Sequence, residues 1–389
     1  NRDPTKSLVT QFQTALRKMK KEEKFTDRQY RQLYPTDGIL PRMYGMVKAH
    51  KPTKNYPMRI VVSTIGSPPY ETSKYLVNII QPTLNKSNIR VINSSLFVTE
   101  AKQWTPDPNE IQVSYDAVNL YPSVPIKKAT DVIIDILSND FDDVSKRTKL
   151  SLTDIRTLIN LCLKKCYFTW QNQIRVLDDA GPIGLSLMVV MAEGFLQHIE
   201  QQSIAAALRT TPPVAPIIFK RYVDDTYSRF RDKTSSEQFL EILNAQEPRI
   251  QFTSEYENED NELNFLDVTL KNTKNNKYLF KVYRKGAITN VQIKPSSSIA
   301  PNVKDGVIKG FISRAYAICS PESLDAELEF LQSTFVENGY DQKYVKKIVN
   351  TYRPGHPKPD EDNDFQNTAS IPWIPGLSTK LKNPSKTLG

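Results

Sequence analysis

Cysteine is nearly missing from this sequence: Cys162, Cys166 and Cys319 are all that 389 residues contain. Three thiols cannot build a disulfide framework, so a reducing compartment is expected. Nor do they make a zinc module; Cys162 and Cys166, spaced as on one helix, read as buried thiols. Glycine is also scarce, with 13 residues where usage of about 7% is normal. Neither a GxxxxGK[ST] loop nor a GxGxxG fingerprint occurs, which removes the common routes to an NTPase or a dinucleotide enzyme. Long apolar runs are missing too. The longest uncharged apolar stretch, Ala180 to Ala192, falls short of the ~18 residues a membrane span needs, and a soluble chain is expected.

What is present is positive charge. Lys and Arg total 52 against 43 Asp and Glu, a net +9, and an acidic partner follows, with nucleic acid the leading candidate. The charge is concentrated: from Lys271 to Ala315 ten Lys or Arg face the single acid Asp305, so this segment alone carries +9. From Gly38 to Tyr70 a Pro-rich stretch holds Arg42, Lys48, Lys51, Lys54 and Arg59 with no acid, and reads as a positive loop or hairpin. At roughly 150 residues per domain, two or three compact units are expected. The chain opens on Asn1 rather than Met, so a piece of something longer is expected.

Periodicity supplies the elements. Leu8, Phe12, Leu16 and Met19 predict helix within residues 1 to 34. Gln112 to Asp116 alternates as a half-buried strand. Helices are predicted after Pro125 and after Gly184, the second with His198 as a partly buried core residue. Two strands are predicted over 264 to 270 and 278 to 283, and helix again over 321 to 351. Ile217 to Arg221 and Thr226 to Phe230 flank Val223, Asp224 and Asp225, the pattern of a hairpin tipped with two carboxylates.

Asp116 ends one strand and Asp224 with Asp225 sits between two others, so the three carboxylates can converge. Carboxylates on strands, without His or Cys, favour hard cations such as Mg²⁺, with Mn²⁺ as a substitute. Two such ions about 3.5–4 Å apart activate an attacking oxygen and stabilise a leaving pyrophosphate. An Asp-Asp pair is also a common turn and nothing more.

The surrounding residues decide between these. Tyr222-Val223-Asp224-Asp225 resembles the YxDD box of reverse transcriptases, and Ser114 to Tyr121 resembles their first catalytic motif, an Asp followed five residues later by an aromatic. Pro41-Arg42-Met43-Tyr44-Gly45 with Lys48, His50 and Lys51, then Arg59 to Ser63, is similar to the PRxYGxxKxHK and RPIVS segments of Penelope-like element reverse transcriptases. So are Leu263 to Val268, Val282 to Lys285 and Ile371 to Leu377, so that the resemblance runs from about Asp3 to Leu377.

The resemblance implies an α+β right-hand polymerase fold. Residues 1–110 would hold an N-terminal helical segment and fingers, 111–270 the palm with a fingers-like helical insertion at about 139–180, 271–377 a mostly helical thumb, and 378–389 a tail. It implies RNA-directed DNA synthesis on an RNA template from a DNA primer 3′-OH with dNTPs, through an RNA/DNA hybrid, and a nuclear location. Asp116 and Asp224 would bind both metals, with Asp225 beside them in a lesser role. Tyr121 would be a steric gate against the ribose 2′-OH, Lys48 and Arg59 would grip the triphosphate, and Gly184 would let backbone approach the nucleotide or template closely. Phe265 and Leu266 lie in a segment similar to the primer grip, where backbone would hold the primer end and the two side chains could equally be core; Arg284 and Lys285 would touch phosphate.

The sequence departs from the family in places. Ile60 stands for the Pro of RPIVS, and Leu185 and Ser186 replace a Ser-Pro after Gly184. Members commonly carry a GIY-YIG endonuclease after the segment ending at Leu377; only twelve residues follow here, so the reverse transcriptase portion without that domain is expected. The competing reading is a domesticated, non-catalytic nucleic-acid-binding protein that kept the fold. An RNA polymerase with a similar palm is a third, against which Tyr121 speaks.

Overall fold

The computed structural model describes residues 3–48, 55–178, 180–286, 289–355 and 373–374. In chain order the elements begin α1 (Thr5–Lys21), α2 (Asp27–Leu33), β1 (Arg42–Val47), β2 (Met58–Ser63), α3 (Tyr70–Leu84) and α4 (Ser94–Ala101). They continue β3 (Ile111–Ala117), α5 (Leu120–Ser123), α6 (Ile126–Asn139), α7 (Phe141–Arg147), α8 (Leu152–Leu163), β4 (Lys165–Trp170), β5 (Gln173–Asp178) and α9 (Ser186–Leu208). The rest are β6 (Ile218–Tyr222), β7 (Asp225–Phe230), α10 (Lys233–Ala245), β8 (Phe252–Tyr256), β9 (Glu262–Phe265), β10 (Val268–Asn272), β11 (Tyr278–Val282), α11 (Pro301–Ile318), α12 (Pro321–Glu337) and α13 (Gln342–Thr351).

Two compact units divide the chain: residues 1–92 with 109–265, and 93–108 with 266–389. The first is organised around α9. Its buried side chains, from Leu187 to Ala207, lie on every side, so the helix has no single apolar stripe and reads as a core element. At Gly194 a Cβ would stand 2.3 Å from Ile133 of α6, so glycine lets α9 and α6 approach closely. One sheet of this unit has the order β6-β7-β3-β8, and another β2-β1-β4-β5. In the first, Tyr115 packs with Phe230 and Phe239 beneath α10, and its hydroxyl donates to the Ser236 carbonyl at 2.9 Å.

The sequence reading is corrected in four local places. The N-terminal helix is two helices, because Glu23 adopts φ 58° and Thr26 with Gln29 forms a capping box that starts α2 afresh. β3 is buried on both faces up to Asp116, since Gln112 finds partners inside: its amide donates to Glu257 at 2.9 Å and its oxygen accepts from Tyr227 at 3.1 Å. Cys162 closes α8 while Cys166 lies on β4, not on the same helix; burial raises both thiols, Cys166 to about 12. The run 264 to 270 is split by Leu266 at φ 57° into β9 and β10.

In the second unit β10 pairs with β11, Val268 opposite Val282 and Asn272 opposite Tyr278. α11, α12 and α13 enclose a separate core of Ile308, Ile312, Leu331, Phe335, Val345 and Ile348. The break between α12 and α13 falls at Gly339, where φ is 95°. No described helix is long and apolar enough to cross a membrane.

Candidate active site

The carboxylates are brought together by strand register. β3 and β7 run antiparallel with Asp116 opposite Asp225, and β6 and β7 close on Tyr222 opposite Asp225. Only Val223 and Asp224 are left to make the turn. Residues directly opposed across such a pair have Cβ atoms about 4.5–5.5 Å apart, and like charges there repel unless a cation lies between them. Asp116 is exposed while Asp224 and Asp225 are half-buried, and the Ser114 hydroxyl lies 3.5 Å from the Asp225 carboxylate.

Among the described residues no three or more His, Cys, Asp or Glu side chains are grouped so as to hold a metal ion. Asp116 and Asp225 face each other across the strands, with Asp224 next to Asp225 in the turn, and all three offer hard oxygen donors. That donor set fits Mg²⁺, which keeps several waters and takes one or two carboxylates plus substrate phosphate.

Tyr121 lies within electrostatic reach of Asp224. Asn119, at φ 49°, turns the chain out of β3 so that α5 begins at once, and the Tyr121 ring packs against the core. Burial raises its hydroxyl above the ordinary tyrosine range; the charges of Asp224 and Glu193 push the same way, and Arg59 opposes them. Asp224, Glu193 and Arg59 therefore all sense one phenol.

Arg59 lies on β2 opposite Met46 of β1, and the Lys48 amide donates to the Pro57 carbonyl at 2.9 Å. Alternation from Met46 places Lys48 and Arg59 on one face of the hairpin. Arg59 is exposed and Lys48 half-buried, while His50 and Lys51 lie outside the described residues. Gly184 adopts φ 126°, and what approaches it is protein: a Cβ there would stand 2.3 Å from the Val62 carbonyl oxygen. The Val62 amide donates to the Ile183 carbonyl at 2.7 Å, and the Thr64 hydroxyl to the Gly184 carbonyl at 2.9 Å. Leu185 is core, 1% exposed.

Two of the residues expected near nucleic acid have protein partners. The Phe265 side chain is core, buried against Tyr227 with 6.1 Å between rings. In the second unit Arg284 gives both forks to Glu327, one at 2.8 Å, and lies 4.2 Å over the Phe330 ring. Two of its five N–H donors are thus taken by a carboxylate. Lys285 is exposed, and Leu266 is half-buried in its turn. Of the segment ending at Leu377, only Trp373 and Ile374 are among the described residues.

Sequence reasoning passed over Arg221, Glu193 and Glu200, which surround the turn from β6 and α9. The signal was the Lys220-Arg221 pair on a short strand that runs straight into the acidic box.

Residues 292–350, covering α11 to α13, match the Animal helix-turn-helix domain. No curated protein matches the chain. Among solved structures, telomerase from Candida albicans in complex with a TWJ fragment of telomeric RNA aligns with 88% of this chain at TM-score 0.55 and 10% identity. Telomerase from Candida tropicalis aligns with 80% at TM-score 0.49 and 11% identity, covering 54% of that chain. The BmCPV RNA-dependent RNA polymerase at elongation state aligns with 85% at TM-score 0.47 and 10% identity, covering 29%. The chain spans 59% of the Candida albicans telomerase chain. The fold is right-hand polymerase-like, mixed in helix and sheet.

Proposed function

We propose that the chain is an RNA-directed DNA polymerase of the Penelope-like kind, copying an RNA template from a primer 3′-OH. The observation that carries the reading is the register setting Asp116 against Asp225, with Asp224 in the intervening turn and Tyr121 beside it. Asp116 and Asp224 would hold the divalent ions, with Asp225 adjacent; when bound, these supply charge neutralisation at the transferring phosphate and activation of the primer hydroxyl. The chain's own residues do the rest. Lys48 and Arg59 bind and orient the triphosphate, Arg59 through its planar fork. Tyr121 excludes the 2′-OH by bulk.

Primer extension with the purified chain tests this directly, on RNA and on DNA templates, with dNTPs or rNTPs, in Mg²⁺, Mn²⁺ or chelator. Chelator-sensitive dNTP addition on an RNA template is expected. Hybrid binding without extension under every condition would favour the non-catalytic reading, and preference for rNTPs would make the chain an RNA polymerase.

A further inference from the structure

Arg221 is the largest fully buried side chain among the described residues, 1% exposed, and the proposed chemistry does not use it. Each guanidinium nitrogen has its own acceptor. Nε donates to the Glu200 carboxylate at 2.5 Å, Nη1 to the Val223 carbonyl at 3.1 Å and Nη2 to the Glu193 carbonyl at 3.3 Å. The backbone is pinned as well: the Arg221 amide donates to Ile89 at 2.8 Å and its carbonyl accepts from Val91 at 2.7 Å. Glu200 is 0% exposed, and burial raises its carboxyl while the Arg221 charge opposes this. Replacing a buried ion pair with apolar side chains of the same volume is often neutral or stabilising, so stability is a weak reason for an Arg here.

What an apolar side chain cannot do is hold the Val223 carbonyl. Val223 adopts φ 57°, a region that a β-branched residue enters only when its surroundings force it. It is the first residue of the turn that carries Asp224. The supports continue beyond it: Glu193, whose carbonyl takes Arg221, pairs its carboxylate with Arg90 and accepts from Gln81 at 3.1 Å, and its charge reaches Tyr121.

We infer that Arg221 is a positioning residue: from β6 it ties the strained Val223–Asp224 turn to α9 and holds Asp224 and Asp225 in register with Asp116. The effect on rate rests on the polymerase reading; the bracing of the turn does not.

Two variants test it. Arg221→Lys keeps a charge facing Glu200, but one ammonium cannot span three separated acceptors. The double variant Arg221→Met with Glu200→Gln removes both charges and leaves no buried ion unpaired. Both are expected to fold, with kcat for primer extension down about ten- to a hundredfold, the cost of a small misplacement. KM for dNTP and hybrid affinity should stay within about twofold of the parent. Hydrogen exchange, read without turnover, should speed up at the amides of residues 222–226 while the rest of β3 and β7 keeps its protection. Parent kcat and parent exchange in both variants would overturn the inference. So would loss of protection across the whole unit in step with falling binding, because Arg221 would then be only a fold-stabilising residue. If the parent extends no primer and the variants still loosen the tip, the bracing stands and the polymerase reading falls.

Discussion

At the scale of single residues, the aspartates and Tyr121 make separable predictions, because one set acts through charge and the other through bulk. Changing Asp116 or Asp224 to Asn removes a hard anionic donor and keeps the shape. Extension should fall by about 10²-fold or more, the size of losing one group that stabilises transition-state charge, while hybrid binding stays near the parent's. Asp225→Asn should cost less, in keeping with the lesser role that the family resemblance gives Asp225. Steady-state extension beside a binding titration checks all three, and Asp116→Asn or Asp224→Asn at more than a few per cent of the parent rate would sink the metal assignment. Tyr121→Ala should raise ribonucleotide use relative to deoxynucleotide, measured as the ratio of kcat/KM values. The exclusion is steric and needs no hydrogen bond. An unchanged ratio would make Tyr121 a packing residue.

At the scale of elements, Gly184 links the loop before α9 to β2, and no other residue fits. At φ 126° an Ala is strained, and its methyl would meet the Val62 carbonyl. Gly184→Ala should therefore cost about 3 kcal/mol of stability, as a backbone forced into a sparsely populated region does. Chemical denaturation measures this, and a loss under about 1 kcal/mol would show that β2 moves aside easily. The sequence marked this glycine as a place of close approach, but not what approaches. Local periodicity and turn chemistry were similarly legible: the hairpin around Val223, α6 and α9 all fall where apolar spacing predicts. Illegible were the features that depend on residues distant in sequence. Gln112 looked like the polar face of a half-buried strand because nothing local announces Tyr227 and Glu257 as its partners. Whether Phe265 is core was open until its ring was seen against Tyr227, and nothing near Arg284 in the sequence announces Glu327 as its partner. A cation in a basic run says nothing by itself about whether a carboxylate more than forty residues away will claim it.

At the scale of the whole molecule, the question is which of the cations between Lys271 and Ala315 meet nucleic acid, and the structure sorts them. Arg284 is held by Glu327, and the Lys304 ammonium donates to the Ser297 carbonyl at 2.7 Å. Lys277, Lys285, Lys294 and Lys309 are exposed. Affinity for an RNA/DNA hybrid should fall steeply with salt, by about 0.9 in the log–log slope per neutralised phosphate on the B-DNA rule. Replacing Lys285 and Lys309 with Ala should flatten the slope by about 1–2 units and shorten the products made per binding event, with the unfolding midpoint unmoved. Arg284→Ala should behave in the opposite way. It leaves the Glu327 carboxylate, 8% exposed, without its partner, and should cost about 2–3 kcal/mol of stability, less than a fully buried pair because Arg284 keeps some access to water. Its salt slope should match the parent's at temperatures where the variant is folded. Titrating hybrid binding at several salt concentrations for the three proteins, with a melting curve for each, separates the two roles. A flattened slope for Arg284→Ala with unchanged stability would place that guanidinium on phosphate after all. A parent-like slope for the double lysine variant would mean that these lysines only face solvent and the hybrid is held by other residues.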